Sequence, residues 1–479
     1  MIKSIFSFSL IIILLFSPMV YANSGPTYWE GYPSLEVLSI QENSPIVVEK
    51  EDLIFDFTKP ELAKHDDYSK TGLVTAIYEM SNPTDEEMTV QMAFPMISKI
   101  PDFKSEDIKI MEDKEDIIFE IFIGASAKDV INSSNENGQN KMNFDRIINS
   151  ITKSDYMPEN FKLDDIGTLY RFDIQNTSDK GIHFRVDFKY NDEKTKILSN
   201  GFNSYHMNQD NNITEIGSYI HKEETLEILV IGEDIDLNIN AYTDTDYKET
   251  TNNYLYKEES KSIVVRDYLI NYFNDYLENT NYKDLLPYNQ LLNIYLRCTD
   301  DMFSREFGYI WLDELTTFDY FDLFFVLLYE VKFMPHETKD VSISYITKGT
   351  MDRKETVDPQ YLFEYILNPA GNWASFKDLN IKIIPPVESP YIIESSLELE
   401  RNQNGSYTKT FESLPENDLT FTLYSKEKVT FMDKIEKFFY KSSYLVFPLL
   451  RWLGLAIMSY IVVKVIAKIS VQLVNKNKD

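Results

Sequence analysis

The residues best suited to chemistry are sparse. The chain has five histidines, His65, His183, His206, His221 and His336, and one cysteine, Cys298. The histidines are widely separated, and none forms an H-x-H or H-x-x-x-H pair that would aim two ring nitrogens at one metal. This pattern argues against a zinc hydrolase. A cysteine nucleophile needs a histidine beside it in space. The sequence nominates none for Cys298, which sits in a helical pattern and is expected to be a buried thiol. G-x-S-x-G, G-x-x-x-x-G-K-[ST] and G-x-G-x-x-G are absent, which disfavours α/β-hydrolases, P-loop enzymes and dinucleotide enzymes.

Carboxylates are the one abundant reactive group. A glycosidase needs a pair of them, but with 77 acidic residues finding a pair decides nothing. Alternating acidic residues in turns can point oxygens at a hard cation. Asp234 and Asp236 flank Ile235, and Asp244 and Asp246 flank Thr245; Asp210-Asn211-Asn212 is a third such turn. None completes D-x-[DN]-x-[DN]-G with its distal Glu, so calcium is the only cofactor considered, and solvated turns are the simpler expectation. Phe318, Tyr320, Phe321, Phe324 and Phe325 interleave with Asp319 and Asp322. Exposed, they would suit sugar stacking with hydrogen bonding; otherwise they pack a core or an interface. Trp373 is expected to plug a β-sandwich, with ligand contact as the other reading.

The elements that must position these residues are bounded by composition. The 479 residues carry a net charge of −30, and 43% are hydrophobic, enough for a sizeable core and for two or three domains. A surface this acidic repels phosphate backbones, so no nucleic-acid partner is expected. One cysteine excludes a disulfide framework within the chain and any multi-cysteine metal site.

The ends address the chain to a membrane. Residues 1–22 read as a secretory signal: Lys3, an apolar stretch from Ile5 to Phe16, Pro18, then Val20-Tyr21-Ala22 as the cleavage site. Tyr444 to Val474 is apolar again. Arg451 and Lys464 bracket a clean core too short to span alone, so a helix over 447–469 must draw on its flanks. Arg451 and Trp452 anchor its outer end, and Lys464 and Lys468, four apart on one helical face, reach the inner headgroups. The basic tail, 470–479, then lies in the cytoplasm.

Between these ends the pattern is mainly β with α insertions. Val74, Ala76, Tyr78 and Met80 share one strand face; Asn82-Pro83-Thr84-Asp85 makes a turn; Met88, Val90, Met92 and Phe94 line a returning strand. Ile182, Phe184, Val186 and Phe188 alternate cleanly with polar residues. Leu269, Tyr272, Phe273, Tyr276 and Leu277 fall at helical spacing, as do Leu292, Tyr295, Leu296, Thr299 and Phe303. Phe324 to Phe333 and Val341 to Tyr345 are expected to pair around Met334 to Thr338, and Asn404-Gly405 reads as a hairpin turn. The organisation expected is a β-rich region over 23–263, a helical insertion over 264–317, a β-sandwich-like region over 318–425, a juxtamembrane helix over 426–446 and the transmembrane helix.

Two passages resemble known proteins. Val74 to Pro95, with Asn82-Pro83-Thr84-Asp85 and Ala93-Phe94-Pro95, is one. The other is Tyr365 to Ile383, with Asn368-Pro369-Ala370-Gly371-Asn372-Trp373. With Tyr329 to Pro335, they resemble an uncharacterised family of membrane-anchored exported proteins of Gram-positive bacteria. Val90 to Gly124 is more weakly similar to β-sandwich domains that accompany von Willebrand-type modules, without the Asp-x-Ser-x-Ser run. These motifs are structural and imply no assigned activity. The expected role is a non-catalytic binding or envelope-interaction module whose partners are the membrane and another membrane protein or an envelope polymer. An anchored polysaccharide hydrolase and an accessory subunit of a transporter or sensor are the competing readings.

Overall fold

The computed structural model describes residues 27–29, 33–35, 37–39, 44–59, 69–127, 147–148, 150–151, 154–208, 213–367, 373–438 and 457–465. The segment 1–22, expected as a signal, and Asp210 to Asn212, Asn368 to Asn372, Arg451, Trp452 and Lys468 lie outside them. The described chain is mainly β, with several sheets and a few helices.

The strands foreseen from alternation form, and they bury the faces foreseen. Val74, Ala76, Tyr78 and Met80 are buried, as are Val90, Met92 and Phe94. Their partners differ from the local expectation. The Thr71–Ser81 strand lies in an eight-stranded sheet beside Val47–Asp56 and Thr338–Lys348. The Met88–Ser98 strand lies in a different, four-stranded sheet, paired along its whole length with Leu323–Phe333. The turn between them is therefore a corner from sheet to sheet rather than a hairpin. Likewise, Leu323–Phe333 and Thr338–Lys348 do not pair with each other. The second returns to the first sheet, opposite Thr71–Ser81. The physical reason is shared burial: all four strands turn apolar side chains into one core from its two sides.

Sheet composition thus groups residues from 28–126 with residues from 323–424, across the boundary that sequence order placed between 23–263 and 318–425. Val47–Asp56 even pairs in parallel with Ser375–Ile384, a connection no hairpin can supply. Leu323–Phe333 is buried on both faces. Phe325, Leu327 and Tyr329 enter the main core, while Phe324, Val326 and Leu328 pack with Leu35, Ala93 and Phe122. Such two-sided burial needs the near-continuous apolar run seen in this segment.

The stretch 166–264 closes on itself. Its five-stranded sheet, joined by Tyr309–Trp311, faces a four-stranded sheet across a separate core of Phe172, Phe184, Val186, Ile216 and Ile228. The outer side of the five-stranded sheet, through Leu169, Leu198, Leu229 and Ile231, belongs to the main core with the helices. Those helices run Val265–Glu278, Tyr282–Leu285 and Tyr288–Arg305. Val265, Leu269, Phe273 and Leu277 form the buried stripe of the first, the i, i+4 pattern that makes a helix amphipathic. Asn404-Gly405 does turn a hairpin, with Gly405 at φ +85°, where a side chain would be strained.

No helix among the described residues is long and apolar enough to cross a membrane. The expected span over 447–469 falls mostly outside them. Its described part, 457–465, is helical, with Ile457, Tyr460, Ile461, Val462 and Val463 all exposed. Part of the juxtamembrane segment, 431–438, is also helical, and 439–446 lies outside the described residues.

The two corners interlock through Asn82, which is 1% exposed. Its Nδ2 donates to the Glu86 and Met334 carbonyls at 2.8 and 3.1 Å, and its Oδ1 accepts from the Thr84 amide at 3.1 Å. The Asn82 amide donates to the Glu337 carbonyl at 2.9 Å. Removing this side chain takes a hydrogen bond from a carbonyl at each corner and from the Thr84 amide. Asn82→Ala is expected to lower the unfolding free energy by roughly 2–4 kcal/mol, read by chemical denaturation of the full chain in detergent. A loss below roughly 0.5 kcal/mol would show that the corners hold without it.

Candidate functional site

A cleft of about 420 Å³ opens where the two main sheets diverge. Its walls are the end of Met88–Ser98, the end of Thr338–Lys348, the segment Ser34–Leu35 and two short helical turns, Ile100–Asp102 and Ser105–Asp107. Pro101, at the start of the first turn, sets its backbone angle. The floor is apolar: Leu35, Phe94 and Phe103 are almost wholly buried. Phe94 leans on Tyr345 with ring centroids 4.8 Å apart, and Phe103 stacks on Phe325 at 4.2 Å. Ser34 and Thr347 share a buried hydroxyl hydrogen bond of 2.9 Å.

Charge sits around this floor in both signs. Lys99, Lys104 and Lys348 line the cleft together with Asp102, Asp107 and Asp322. Lys99 Nζ stands 4.0 Å from Asp322 Oδ1, too far for a hydrogen bond. That buried oxygen has no hydrogen bond among the described residues. An apolar floor with a few fixed polar groups, in a volume within the roughly 300–1,000 Å³ usual for small-ligand sites, is the ordinary build of a binding pocket. Three lysines in one cleft also stand out on a chain of net charge −30.

The residues singled out for ligand contact fall elsewhere. Phe318 is fully buried against Phe273, Tyr276 and Tyr295. Phe321 is half-buried against the main core, and Phe324 and Phe325 are wholly buried. Only Tyr320 of this set is open to solvent, at 68%. Trp373 is buried with its indole N–H lacking a hydrogen bond among the described residues. The cluster is core packing, the commoner fate of interleaved aromatics.

The acidic turns are not gathered into a metal site: among the described residues no group of three or more His, Cys, Asp or Glu is placed to hold an ion. Asp234 accepts the Tyr170 hydroxyl at 2.8 Å and the Ile235 amide at 3.0 Å. Asp244 accepts the Lys248 and Glu249 amides, the latter at 2.7 Å, which lowers its pKa. Asp246 pairs with Lys248 at 3.1 Å. Asp236 is exposed. Carboxylate oxygens already closing their own turns are poorly placed to turn toward a cation.

Two buried carboxylates anchor the helices: Asp300, which the sequence does not single out, and Asp319, which it marks only as a neighbour of the interleaved aromatics. Asp300, 3% exposed, accepts the Tyr156 hydroxyl at 2.9 Å and the Glu159 and Asn160 amides at 2.8 Å each. It fastens the 156–160 segment to the Tyr288–Arg305 helix. A signal existed: Asn293, Leu296, Asp300 and Phe303 share one face, so an acid sits on an apolar stripe. Asp319, 4% exposed, accepts the Tyr276 and Tyr282 hydroxyls at 2.5 and 2.7 Å. Burial, then the Asp319 carboxylate, pushes the Tyr282 hydroxyl up to about 12 and Tyr276 further. Both tyrosines thus stay protonated donors. Neither acid lines the cleft; both are structural anchors. Cys298 is buried, as expected.

No family model matches the chain, and no curated protein matches it. Among solved structures, a crystal structure from Legionella pneumophila, provisionally named as a nutrient binding protein, is similar at 11% identity. The match covers 83% of this chain and 73% of that one, with a TM-score of 0.29. A likeness this slight bears on neither fold nor function.

Because the acidic turns spend their oxygens on amides and lysines, added calcium and EDTA are expected to give the same melting temperature for the full chain. A calcium-dependent rise of several degrees, lost in Asp244→Asn, would contradict this reading.

Proposed function

We propose that the chain is a single-pass, membrane-anchored extracellular protein with a non-catalytic binding role, and that the cleft between the two main sheets receives its ligand. The observation that carries the binding role is that cleft: an apolar floor of Phe94, Phe103 and Leu35 ringed by three lysines and three aspartates. It suits a small molecule with an apolar face and polar groups of both signs.

Anchoring is supported at the carboxyl end. Phe431, Met432 and Phe438 are exposed on the 431–438 helix, and the 457–465 helix exposes apolar side chains all round. A lipid surface would cover both. Lys464, whose ammonium lies 5.0 Å from the Tyr460 ring, is placed to reach the headgroups from within such a span. The signal-like residues 1–22 give the same orientation.

The entry to this membrane-facing part is held by one carboxylate. Asp433 accepts the Thr430 amide and hydroxyl at 2.7 Å each and pairs with Lys426 at 2.5 Å. The Lys426 ammonium and the Thr430 donors hold its pKa down to about 2, against an ordinary 3.8. A depressed carboxylate stabilises the fold above its unfolded pKa and loses that contribution as pH falls through the folded one. The 431–438 helix is therefore expected to loosen as pH drops from about 4 toward about 2, seen as amide exchange there. Asp433→Asn should exchange fast already at neutral pH; slow exchange in that variant would remove the cap from the account.

Binding is tested on full chain purified from its own membranes. Native mass spectrometry is expected to find a retained small molecule. The Lys99→Glu, Lys104→Glu double variant, changed only at the cleft rim, should retain less than about a tenth as much, a loss near 1.4 kcal/mol. Equal retention in both proteins would move the site elsewhere. Release of reducing sugars from cell-wall material by the wild type, but not by a heat-treated sample, would overturn the non-catalytic reading.

A further inference from the structure

The Tyr254–Val264 strand ends its sheet. It pairs over all eleven residues with Ile166–Asn176 on one side, and no strand among the described residues pairs with the other. Residues 255–262 are exposed, unlike the buried interiors of the other long strands. Leu255 and Tyr256 are 63% and 45% exposed. Long, regular free edges are liabilities, because their unpaired amides and carbonyls template another strand. A protein that keeps one has usually either blunted it or filled it.

The side chains on this edge select a filler. Two copies of one edge strand pair antiparallel about a twofold axis perpendicular to the sheet. That axis leaves each face on its own side, so residue i can lie opposite j only when both belong to one face. Three central registers are close enough to compare. Centred on Ser260, the pairing sets Glu259 of each copy opposite Lys261 of the other, Glu258 opposite Ser262 and Lys257 opposite Ile263. No like charges then oppose each other. Centred on Glu259, it sets Glu259 against itself and Lys257 against Lys261. Centred on Glu258, it sets Glu258 against itself. Directly opposed unlike charges stabilise a cross-strand pair and like charges destabilise it.

We propose that a second copy of this chain pairs with this edge in the Ser260-centred register, joining two five-stranded sheets into one across a twofold axis. Glu259 is 54% exposed and pairs within its own strand with Lys257, while Lys261 has no ion pair among the described residues. In the dimer Glu259 lies between its own Lys257 and the other copy's Lys261. The alternating lysines and glutamates that would repel a generic strand are complementary to themselves in this one register, which is how charge gives an interface specificity. The edge lies far in sequence from the proposed membrane segment and uses no residue of the cleft.

Full chain in native membranes or detergent tests this directly. Ser260→Cys, made with Cys298→Ser, is expected to form disulfide-linked dimers on mild oxidation, because the axis brings the two cysteines face to face. Lys257→Cys on the same exposed strand should not, because its own counterpart lies six residues out of register. Light scattering should show wild-type dimers, a dissociation constant raised at least about tenfold in Glu259→Lys, and recovery in Glu259→Lys with Lys261→Glu. A monomeric wild type, equal crosslinking at both positions or at neither, or a dimer indifferent to Glu259→Lys would each overturn the proposal. Circular dichroism unchanged from wild type keeps a folding defect from passing as dissociation.

Discussion

The structure depends on the way two chain corners lock into each other. One corner carries the chain from Thr71–Ser81 to Met88–Ser98; the other carries it from Leu323–Phe333 to Thr338–Lys348. Each moves from one sheet to the other, and Asn82 bonds across both. His336, in a left-handed conformation at φ +55°, donates its amide to the Thr84 carbonyl at 3.3 Å and brings its Nε2 within 2.8 Å of Asp85. Because a corner aligns both strands that leave it, this one contact sets the register of two eleven-residue antiparallel ladders at once. Both ladders run to full length without a shift.

The consequences reach the cleft. Strands locked together at the corner splay apart at their far ends, near Ser98 and Lys348, and the cleft opens there. Its polar bond, between Ser34 and Thr347, joins residues more than 300 positions apart, so the site exists only when both ends of the folded region are in place. The middle stretch 166–264 adds a separate core and docks through the outer face of its five-stranded sheet. It leaves the cleft untouched; residues 255–262 of its edge strand are exposed, while Ile263 packs against the main core.

How much of this the sequence revealed follows from what periodicity measures. Alternation reports which face of a strand is buried, and the buried faces of Thr71–Ser81, Met88–Ser98 and Ile182–Phe188 are those read in advance. It carries nothing about the partner, so neighbours in sequence were paired where the structure pairs strands hundreds of residues apart. The helices were legible because Leu269, Phe273 and Leu277 repeat at helical spacing. The cleft was not, since its lysines and aspartates come from three separate segments, Lys99 to Asp107, Asp322 and Lys348, and look individually like surface charge. Asp300 is hidden among 77 acidic residues, distinguished only by its place in an apolar stripe, whereas Asp319 stands out by its aromatic neighbours. The Asn82-Pro83-Thr84-Asp85 motif reads as a turn from its residue types, and that turn is the corner lock.

The central claim is that residues from both halves of the chain form one cooperative core. Hydrogen exchange across a denaturant series measures it most directly, since strands of one folding unit lose protection together. Amides of Thr71–Ser81, Met88–Ser98, Leu323–Phe333 and Thr338–Lys348 are expected to lose protection at a single midpoint. Separate midpoints for the strands before residue 127 and those after residue 322 would contradict the account and restore two independent sandwiches.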